Sequence, residues 1–363
     1  MKKILIFSLA YFPFVGGAEI ALHEVMTRLK GKYQFQVVTA KMKSLPSFEV
    51  MDGIPVFRLG FGIQWLDKLL FLPCAILFGL FHKADVIFGL LENQAALAAR
   101  VVARFQGAKC VINLQSGDTE DYMRQKLGIF YFLYNWVYGK NPAYIVLSNY
   151  LKERALQHGV PVQNIRIIPN GVDTKTFSCK NLKRRDKLPS IITVSRLTVK
   201  NAVDDVIKAF ALVKKEVPRA VLTVCGSGED ELKLKHLASE LNVVKDIRFT
   251  GQVSYKNLPN YLCEADVFVR PSISEGFGNS FIEALSCGVP IVGTKIGGIP
   301  DFLENGKTGL FCKVRNPEDI AKQIVRLLKN RALAKKIVRN GQKVIKKRYE
   351  WNLIAKQFDE VLS

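Results

Sequence analysis

Short apolar runs alternate with amphipathic stretches along almost the whole chain. Residues 18–29 and 149–158 carry apolar side chains three and four positions apart, as one face of a helix requires. Apolar runs of strand length cover residues 3–9, 35–40, 86–90, 110–114 and 143–148. An alternation of strands and helices predicts parallel sheets with helices on their faces.

The same alternation starts again after residue 190. Strand-like runs cover residues 191–195, 220–225, 247–250 and 267–269, and helix-like stretches cover 202–217, 229–241, 258–265 and 317–328. The turn P-N-G-V-D at residues 169–173, with the basic run behind it, predicts a hinge between two domains. We therefore predict a first domain over residues 1–175, a second over 176–345, and an amphipathic C-terminal helix within 346–363.

The most specific motif covers residues 272–290, S-I-S-E-G-F-G-N-S-F-I-E-A-L-S-C-G-V-P. Glu275 and Glu283 stand eight positions apart around a glycine-rich turn that leads into a predicted helix. The amides of residues 278–280, at the start of that helix, attract anions, whereas carboxylates suit hydroxyl groups. This combination is typical of a nucleotide-sugar site, with the diphosphate on the amides and the hydroxyls on the glutamates.

The segment resembles the donor site of the family 4 retaining glycosyltransferases, in which a glutamate, seven residues and a second glutamate follow one another. The resemblance implies the GT-B fold, an α/β architecture of two Rossmann-like, doubly wound domains facing a central cleft, with a C-terminal helix crossing back to the first domain. It also implies that Glu275 orients the transferred sugar and that Glu283 holds the ribose. It covers most of the second domain with specific motifs and the first domain with weaker ones.

Two cations follow the predicted strand 191–195, in S-R-L-T-V-K-N. The family carries an arginine and, four positions on, a lysine, and both bind the donor diphosphate. Arg196 and Lys200 match this pattern, whereas Asn201 replaces the glycine that usually follows the lysine. Positive charges there oppose the negative charge that builds on a departing diphosphate. The resemblance thus assigns Glu275, Arg196 and Lys200 to catalysis.

The resemblance also implies a set of donor-binding residues. In the second domain they are Val253, which would lie along the nucleobase, and Gly276, Phe277, Gly278, Asn279, Ser280 and Glu283. In the first domain, Gly16 and Gly17 would let the backbone approach the donor phosphates and the acceptor; a tight turn that needs glycine is the alternative. Gln115 stands near the position of a histidine in many relatives and would hold a sugar hydroxyl.

The charge of the chain adds a partner. Its 363 residues carry a formal net charge of +21, which soluble metabolic enzymes seldom reach. Positive residues concentrate at 180–187 and at 322–348, where eleven lysines and arginines occur without an acid. Because no aromatic residues interleave as in RNA-binding segments, this favours an anionic membrane surface over nucleic acid. A solvated helix face is the alternative.

Residues 69–81, L-L-F-L-P-C-A-I-L-F-G-L-F, form a run of thirteen apolar residues. A bilayer span needs about twenty, and Pro73 and Gly79 are expected to break the run. It is either a buried helix of the first domain or a helix that dips into the membrane interface near a lipid-linked acceptor.

No cofactor and no metal are expected. No D-x-D follows a strand, the D-T-E-D at residues 118–121 is too irregular, and no zinc-ligand spacing occurs. The seven cysteines contain no C-x-x-C pair and are interpreted as reduced core residues of a cytosolic protein. The four histidines are interpreted as structural.

The sequence thus predicts a cytoplasmic enzyme that is peripherally associated with the inner face of the membrane. It would transfer a hexose, with retention and without metal, from a UDP- or GDP-sugar to a lipid-linked or glycan acceptor in cell-envelope polysaccharide or glycolipid synthesis. Two alternatives stay open: a nucleotide-sugar epimerase or hydrolase of GT-B type, which would turn over without acceptor, and an inactive membrane-bound scaffold with a relict donor site.

Overall fold

A computed structural model describes residues 1–14, 16–179 and 188–363 and divides them into two compact units. Unit 1 consists of Met1–Asn170 and Trp351–Ser363, and unit 2 of Gly171–Glu350. The sequence analysis placed the corresponding boundaries at residues 175 and 345. The basic run at 180–187 lies outside the described residues.

The described part of unit 1 forms an eight-stranded sheet with the spatial order β3-β4-β2-β1-β5-β6-β7-β8. The strands are β1 (Lys2–Phe7), β2 (Tyr33–Ala40), β3 (Phe48–Met51), β4 (Ile54–Leu59), β5 (Val86–Leu90), β6 (Lys109–Leu114), β7 (Ala143–Val146) and β8 (Ile165–Ile167). β3 pairs with β4 in antiparallel fashion, and the other neighbours are parallel. The chain order reverses between β1 and β5.

Helices cover both faces of this sheet. They are α1 (Gly17–Leu29), α2 (Gln64–Phe81), α3 (Gln94–Gln106), α4 (Glu120–Leu127), α5 (Tyr131–Val137) and α6 (Asn149–Gln157). Alternate residues of β1 point to opposite faces: Ile4 and Ile6 belong to the core beneath α1, whereas Leu5 and Phe7 belong to the core beneath α2 and α3. Both faces of a buried parallel strand are thereby apolar, as its continuous hydrophobic run predicts.

The described part of unit 2 forms a parallel six-stranded sheet with the order β11-β10-β9-β12-β13-β14. Its strands are β9 (Ser190–Val194), β10 (Val221–Cys225), β11 (Ile247–Gly251), β12 (Val267–Arg270), β13 (Ile291–Thr294) and β14 (Leu310–Cys312). Its helices are α7 (Val203–Glu216), α8 (Glu231–Glu240), α9 (Leu258–Cys263), α10 (Asn279–Ser286), α11 (Pro317–Lys329) and α12 (Arg331–Arg348).

The last helix, α13 (Trp351–Leu362), belongs to unit 1. Its buried face, which includes Trp351, Ile354 and Phe358, joins the core shared with α1. Asp359 accepts hydrogen bonds from Lys32 Nζ (2.7 Å) and from the Tyr33 hydroxyl (2.6 Å). The chain therefore leaves unit 1 after residue 170 and returns to it at residue 351.

Two details of the sequence analysis were wrong. Pro73 and Gly79 do not break α2, which continues through both positions; Pro73 is exposed, and Gly79 packs against Val102 of α3, where a Cβ atom would come within 2.6 Å of that side chain. Not all cysteines are reduced either: Cys179 and Cys263, 84 positions apart, form a disulfide. These two cysteines come together only in the folded chain, so their spacing in the sequence could not predict the disulfide.

Candidate functional site

The sheet of unit 2 has its switch point between β9 and β12. Ile192 of β9 lies opposite Phe268 of β12, so the carboxyl ends of the two strands are adjacent. In open α/β sheets, ligands bind in the crevice outside such adjacent strand ends. The turn after β9 carries Arg196 and Lys200, and the turn after β12 carries Glu275. The structure therefore brings the three predicted catalytic residues to one edge of one sheet.

Two glycines after β10 set the course of the cation-bearing turn. A Cβ atom at Gly226 would lie 1.8 Å from the Ser195 carbonyl oxygen, and one at Gly228 would lie 2.2 Å from the Leu197 carbonyl oxygen. Leu197 N–H donates to the carbonyl oxygen of Ser227 (3.0 Å). The C-G-S-G segment therefore packs directly against the backbone of the turn that carries Arg196, and only glycine permits this close approach.

Arg196 is exposed, and its guanidinium makes no hydrogen bond or ion pair with any of the described residues. Lys200 is half-buried, and its carbonyl oxygen accepts a hydrogen bond from Ile273 N–H (2.8 Å). This bond joins the turn after β9 to the turn after β12. The site thus presents the positive charge of Arg196, which no described residue pairs with, on a backbone that is held in place by hydrogen bonds.

The turn of Glu275 is clamped from two sides. Gly298 N–H donates to the Glu275 carbonyl oxygen (3.1 Å), and Gly297, with φ of 55°, approaches so closely that a Cβ atom would lie 1.8 Å from that oxygen. The Glu275 side chain is 14% exposed and its carboxylate contacts the guanidinium of Arg270. The carboxylate is therefore oriented by the protein while part of it stays accessible.

The rest of the motif forms the start of α10. Gly278 has φ of 102°, and a side chain there would collide with Phe281. Phe277 is buried against Phe302 and Tyr349, which anchors the turn. Asn279 and Ser280 are the first residues of α10, and Gly276 leads into the turn. The start of α10, where a helix attracts anions, therefore follows β12 directly at the switch-point edge.

Glu283 lies one turn further into α10 and is buried. Burial raises the pKa of its carboxyl to about 7, although the charge of Arg270 acts in the opposite direction. At neutral pH this carboxyl is therefore partly protonated. A carboxylate that binds a ribose is expected to be accessible, whereas the Glu283 carboxyl is buried. Its role in ribose binding stays a prediction.

Several buried polar atoms at this edge have no hydrogen-bond partner among the described residues. They are Thr193 Oγ1, Ser195 Oγ, Ser272 Oγ and Arg270 Nε. Each such atom costs about 1–3 kcal/mol when it stays unpaired, so proteins rarely collect them without a use. Their position at the ends of β9 and β12 marks the same crevice as the charged residues do.

Val253 follows the carboxyl end of β11, two strands from β9. Gly226 N–H donates to the carbonyl oxygen of Gly251 (2.9 Å), which joins the turn after β11 to the C-G-S-G segment after β10. The predicted nucleobase residue therefore lies on the same edge of the sheet as the cations.

Gly16 and Gly17 follow β1, which borders the switch point of the unit 1 sheet. Gly16 has φ of −113°, which any residue adopts, so backbone strain does not explain the glycine. Its N–H donates to Glu19 Oε2 (2.6 Å), and Gly17 is the first residue of α1. The conformation at Gly16 therefore gives no support to the alternative of a turn that needs glycine there.

Gln115 follows β6 and is held on both sides of its carboxamide. Its Oε1 accepts from Asn170 Nδ2 (3.1 Å), and its Nε2 contacts Asn113 Oδ1. A carboxamide bound in this way has a defined orientation and does not take up a proton at physiological pH. It suits a sugar hydroxyl and excludes a role for Gln115 as a base.

A buried pair that the sequence analysis missed holds the backbone of this loop. Glu92 Oε2 accepts from the N–H groups of Gln115 and Ser116 (3.2 Å each), and Arg154 donates to the carbonyl oxygens of Ser116 (3.0 Å) and Asp118 (2.5 Å). Burial raises the pKa of Glu92, against the opposing charge of Arg154. The signal in the sequence was a carboxylate directly behind the apolar strand β5.

The D-T-E-D segment at residues 118–121 serves this loop as well. Glu120 pairs with His158 (3.2 Å) and Arg154 (3.5 Å) and accepts from the hydroxyls of Tyr131 and Tyr134. Burial opposes ionisation of Glu120, but these hydrogen bonds and charges lower its pKa overall. Its oxygens are therefore engaged by protein groups.

Comparison with known proteins gives two family matches. The family model described as "Glycosyl transferases group 1" matches residues 174–344, and the one described as "Glycosyltransferase Family 4" matches residues 15–176. Each model therefore corresponds closely to one of the two parts of the chain, and together they account for nearly all of it.

Similar proteins and structures agree with this assignment. A GDP-mannose-dependent alpha-(1-6)-phosphatidylinositol monomannoside mannosyltransferase of Mycobacterium tuberculosis is 25% identical over 382 aligned positions, covering 100% of this chain and 98% of the relative. Sucrose-phosphate synthase from Thermosynechococcus elongatus has a similar fold, with a TM-score of 0.87 at 18% identity, covering 100% of this chain and 98% of that one. Anabaena HepE in complex with UDP-glucose has a TM-score of 0.81 at 19% identity, covering 100% and 99%. The chain therefore belongs to the GT-B glycosyltransferases, with a family 4 first part and a group 1 second part.

Proposed function

We propose that this glycosyltransferase moves a hexose, with retention and without a metal ion, from a UDP- or GDP-sugar to a lipid-linked or glycan acceptor of the cell envelope. The observation that carries the proposal is the switch-point edge of unit 2, where the turn that bears Arg196 and Lys200 is hydrogen-bonded through Ile273 N–H to the turn that bears Glu275. Cations suit a diphosphate, and a held carboxylate suits sugar hydroxyls.

In the proposed reaction the diphosphate lies against Arg196, Lys200 and the amides at the start of α10. As the bond between the sugar and the diphosphate breaks, negative charge grows on the departing oxygen. Two cations and a helix start stabilise that charge without a metal ion, because they are already oriented before the reaction begins. Glu275 accepts hydrogen bonds from sugar hydroxyls, and Glu283 accepts them from the ribose.

Retention follows in this proposal from the leaving group itself. Gln115 stands near the position at which many relatives carry a histidine, and it cannot accept a proton from the acceptor hydroxyl at physiological pH. The departing diphosphate then takes that proton, and the acceptor attacks the face of the sugar that the diphosphate leaves. Gln115, oriented by Asn113 and Asn170, holds a hydroxyl of the transferred sugar.

Similar proteins support both donor choices. The Mycobacterium tuberculosis relative is named for GDP-mannose and a phosphatidylinositol monomannoside acceptor, whereas the HepE structure contains UDP-glucose. The first case supports a lipid-linked acceptor for this chain.

A membrane-associated acceptor also agrees with two surface elements. In unit 1, α2 exposes an apolar row, named here the α2 stripe, that consists of Trp65, Leu69, Leu77, Leu80 and Phe81. By length and composition α2 would also pass as a membrane span, a test that core helices of soluble proteins pass too. In unit 2, α12 exposes eight cations, which are Arg331, Lys335, Lys336, Arg339, Lys343, Lys346, Lys347 and Arg348. An apolar row and a basic row suit the interface of an anionic membrane.

The first experiment is a thermal-shift screen of the purified protein against UDP, GDP, ADP and their common sugar conjugates, with and without EDTA. A selective upward shift with one diphosphate, unchanged by EDTA, is expected because a ligand that binds only the folded state stabilises it. The nucleotide that gives the shift identifies the base of the donor, and its sugar conjugates are the ones to test next. No shift with any nucleotide would contradict the proposal and favour an inactive scaffold.

Turnover then separates the remaining alternatives. The selected donor is incubated with and without a membrane extract, and the products are separated into free sugar, epimerised donor and glycosylated lipid or glycan. Transfer that depends on the extract is the expected result. Epimerised donor or rapid release of free sugar in its absence would point to an epimerase or hydrolase instead.

A further inference from the structure

Asn201 stands where the resembling family usually carries glycine, and its side chain is buried. Its Nδ2 donates to the carbonyl oxygen of Arg196 (2.6 Å) and lies 3.3 Å from Thr198 Oγ1. Its Oδ1 accepts from Arg270 Nη2 (2.8 Å). The reverse orientation of the amide would set its NH₂ group against the guanidinium and its oxygen against a carbonyl, so the neighbours determine the orientation.

Arg270 is the centre of these contacts. Besides Asn201, its guanidinium donates to Ser280 Oγ (3.0 Å) in the first turn of α10 and contacts the carboxylate of Glu275. A planar guanidinium with three partners on three different segments has little freedom to rotate. Its direction therefore sets the direction of the Glu275 carboxylate.

We propose that Asn201 is a positioning residue for the transfer reaction: through Arg270 it couples the turn that carries Arg196 and Lys200 to the carboxylate of Glu275. This inference rests on the proposed function, because it assigns those three residues to the donor. Asn201 does not touch the donor itself. It acts on the carboxylate that orients the sugar.

The backbone bond from Ile273 N–H to the Lys200 carbonyl oxygen also joins the two turns, and it needs no side chain. Loss of the Asn201 side chain therefore leaves the turns together and the cations near the diphosphate. What changes is the guanidinium of Arg270, which then has one partner fewer opposite Glu275. The expected consequence is a Glu275 carboxylate that points less accurately at the sugar, with diphosphate binding preserved.

The test compares Asn201→Gly and Asn201→Asp with the parent, using UDP-glucose and GDP-mannose. Two quantities are measured: the Kd for UDP or GDP by calorimetry, and kcat and KM for sugar transfer from the donor in the presence of the membrane extract that supplies the acceptor. Asn201→Gly restores the residue usual in the family and is expected to lower kcat roughly tenfold while the Kd for the diphosphate changes less than about twofold. Asn201→Asp keeps the size of the side chain but competes with Glu275 for Arg270, and kcat is expected to fall further.

Asn316→Gly is the matched control. Asn316 caps α11 through a hydrogen bond from Asp319 N–H (2.7 Å), so its loss costs stability in the same unit without touching the site. If Asn201→Gly leaves kcat at the level of this control, or lowers kcat and diphosphate affinity equally, the positioning role is wrong. If the parent binds no diphosphate and turns over neither donor, the proposed function fails first, and the inference falls with it.

Discussion

At the scale of residues, unit 2 divides its charged groups into accessible and buried ones. Arg196 is exposed and has no partner among the described residues, Glu275 is oriented but partly accessible, and Glu283 is buried with a raised pKa. The two glutamates share one chemistry and differ in environment, and the environment of each of the three groups predicts a different response to substitution.

Glu275→Ala is expected to abolish transfer while the protein stays folded. The carboxylate is the group that would hydrogen-bond the reacting sugar, and removing a group that stabilises a transition state lowers kcat by about a hundredfold or more. Donor turnover and the thermal midpoint of unfolding are the measurements. Glu304→Ala is the control, because Glu304 is an exposed carboxylate paired only with Lys307. Unchanged turnover in Glu275→Ala would remove the residue from the site.

Arg196→Ala is expected to weaken the binding of UDP or GDP by about tenfold, since a charge-assisted hydrogen bond to a phosphate is lost and no described neighbour replaces it. Titration calorimetry measures the Kd. The control is Arg219→Ala, an exposed arginine just before β10 and therefore at the opposite edge of the sheet. Equal affinity in parent and Arg196→Ala would place the diphosphate elsewhere.

Glu283 predicts how stability depends on pH. Its pKa is raised from 4.5 to about 7 in the folded state, so the folded protein keeps the proton over a range in which the unfolded chain loses it. The stability that this proton gives the folded state is fully present below about pH 4.5 and is lost as pH rises towards 7. The free energy of unfolding changes by on the order of 3 kcal/mol over this range. Glu283→Gln, which stays neutral, is expected to flatten that segment of the stability curve.

The measurement is the free energy of unfolding from denaturant titrations at several pH values between 4.5 and 8, for parent and variant. An identical pH dependence in both proteins would show that Glu283 is not the group that holds this proton.

At the scale of elements, α2 was the least certain stretch in the sequence, because an apolar run fits a core helix and an interfacial helix equally well. The structure places Phe71, Ala75 and Gly79 against the core and leaves the α2 stripe exposed. One face of α2 is therefore a core face, as the first interpretation predicts, and the opposite face is exposed, since a helix repeats every 3.6 residues and presents two sides. Contact of the exposed face with a membrane stays a prediction.

The double variant Leu69→Glu/Leu77→Glu is expected to bind vesicles that contain phosphatidylglycerol at least about tenfold more weakly than the parent, because two charges replace apolar side chains at the interface. Co-sedimentation with vesicles measures this. Leu232→Glu is the control, since Leu232 is likewise an exposed leucine, on α8 of unit 2. Equal loss in the control, or none in the double variant, would contradict docking through α2.

At the scale of the whole molecule, the net charge of +21 predicts how membrane binding depends on salt. Binding to anionic vesicles is expected to weaken steeply as salt rises from about 0.05 to 0.5 M, because the Debye length shortens and surface attraction is screened. Binding to neutral phosphatidylcholine vesicles is expected to be weak at every salt concentration. Salt-independent binding to anionic vesicles would assign the charge to another partner.

Much of the fold was predictable from the sequence because the physical signal is local. Strand β5 has the predicted bounds and helix α13 lies within the predicted range 346–363, since a parallel strand is one apolar run and an amphipathic helix has one apolar face. The β3–β4 hairpin was missed because β3 is largely exposed and β4 buries only alternate residues, so neither strand is a continuous apolar run. β13, β14 and α12 were missed because their patterns are short or dominated by lysine and arginine.

The sequence by itself determined the family resemblance and the alternating α/β organisation, and it singled out Glu275, Arg196 and Lys200 as candidate site residues, because the residues of each motif lie close together in the chain. The tertiary structure alone decided which residues meet across segments. Asn201 contacts Arg270 (2.8 Å), Glu92 contacts Gln115 (3.2 Å), and Cys179 is bonded to Cys263 in the folded chain. Such contacts join positions far apart in sequence, where side-chain chemistry predicts a need for a partner but only packing selects which one.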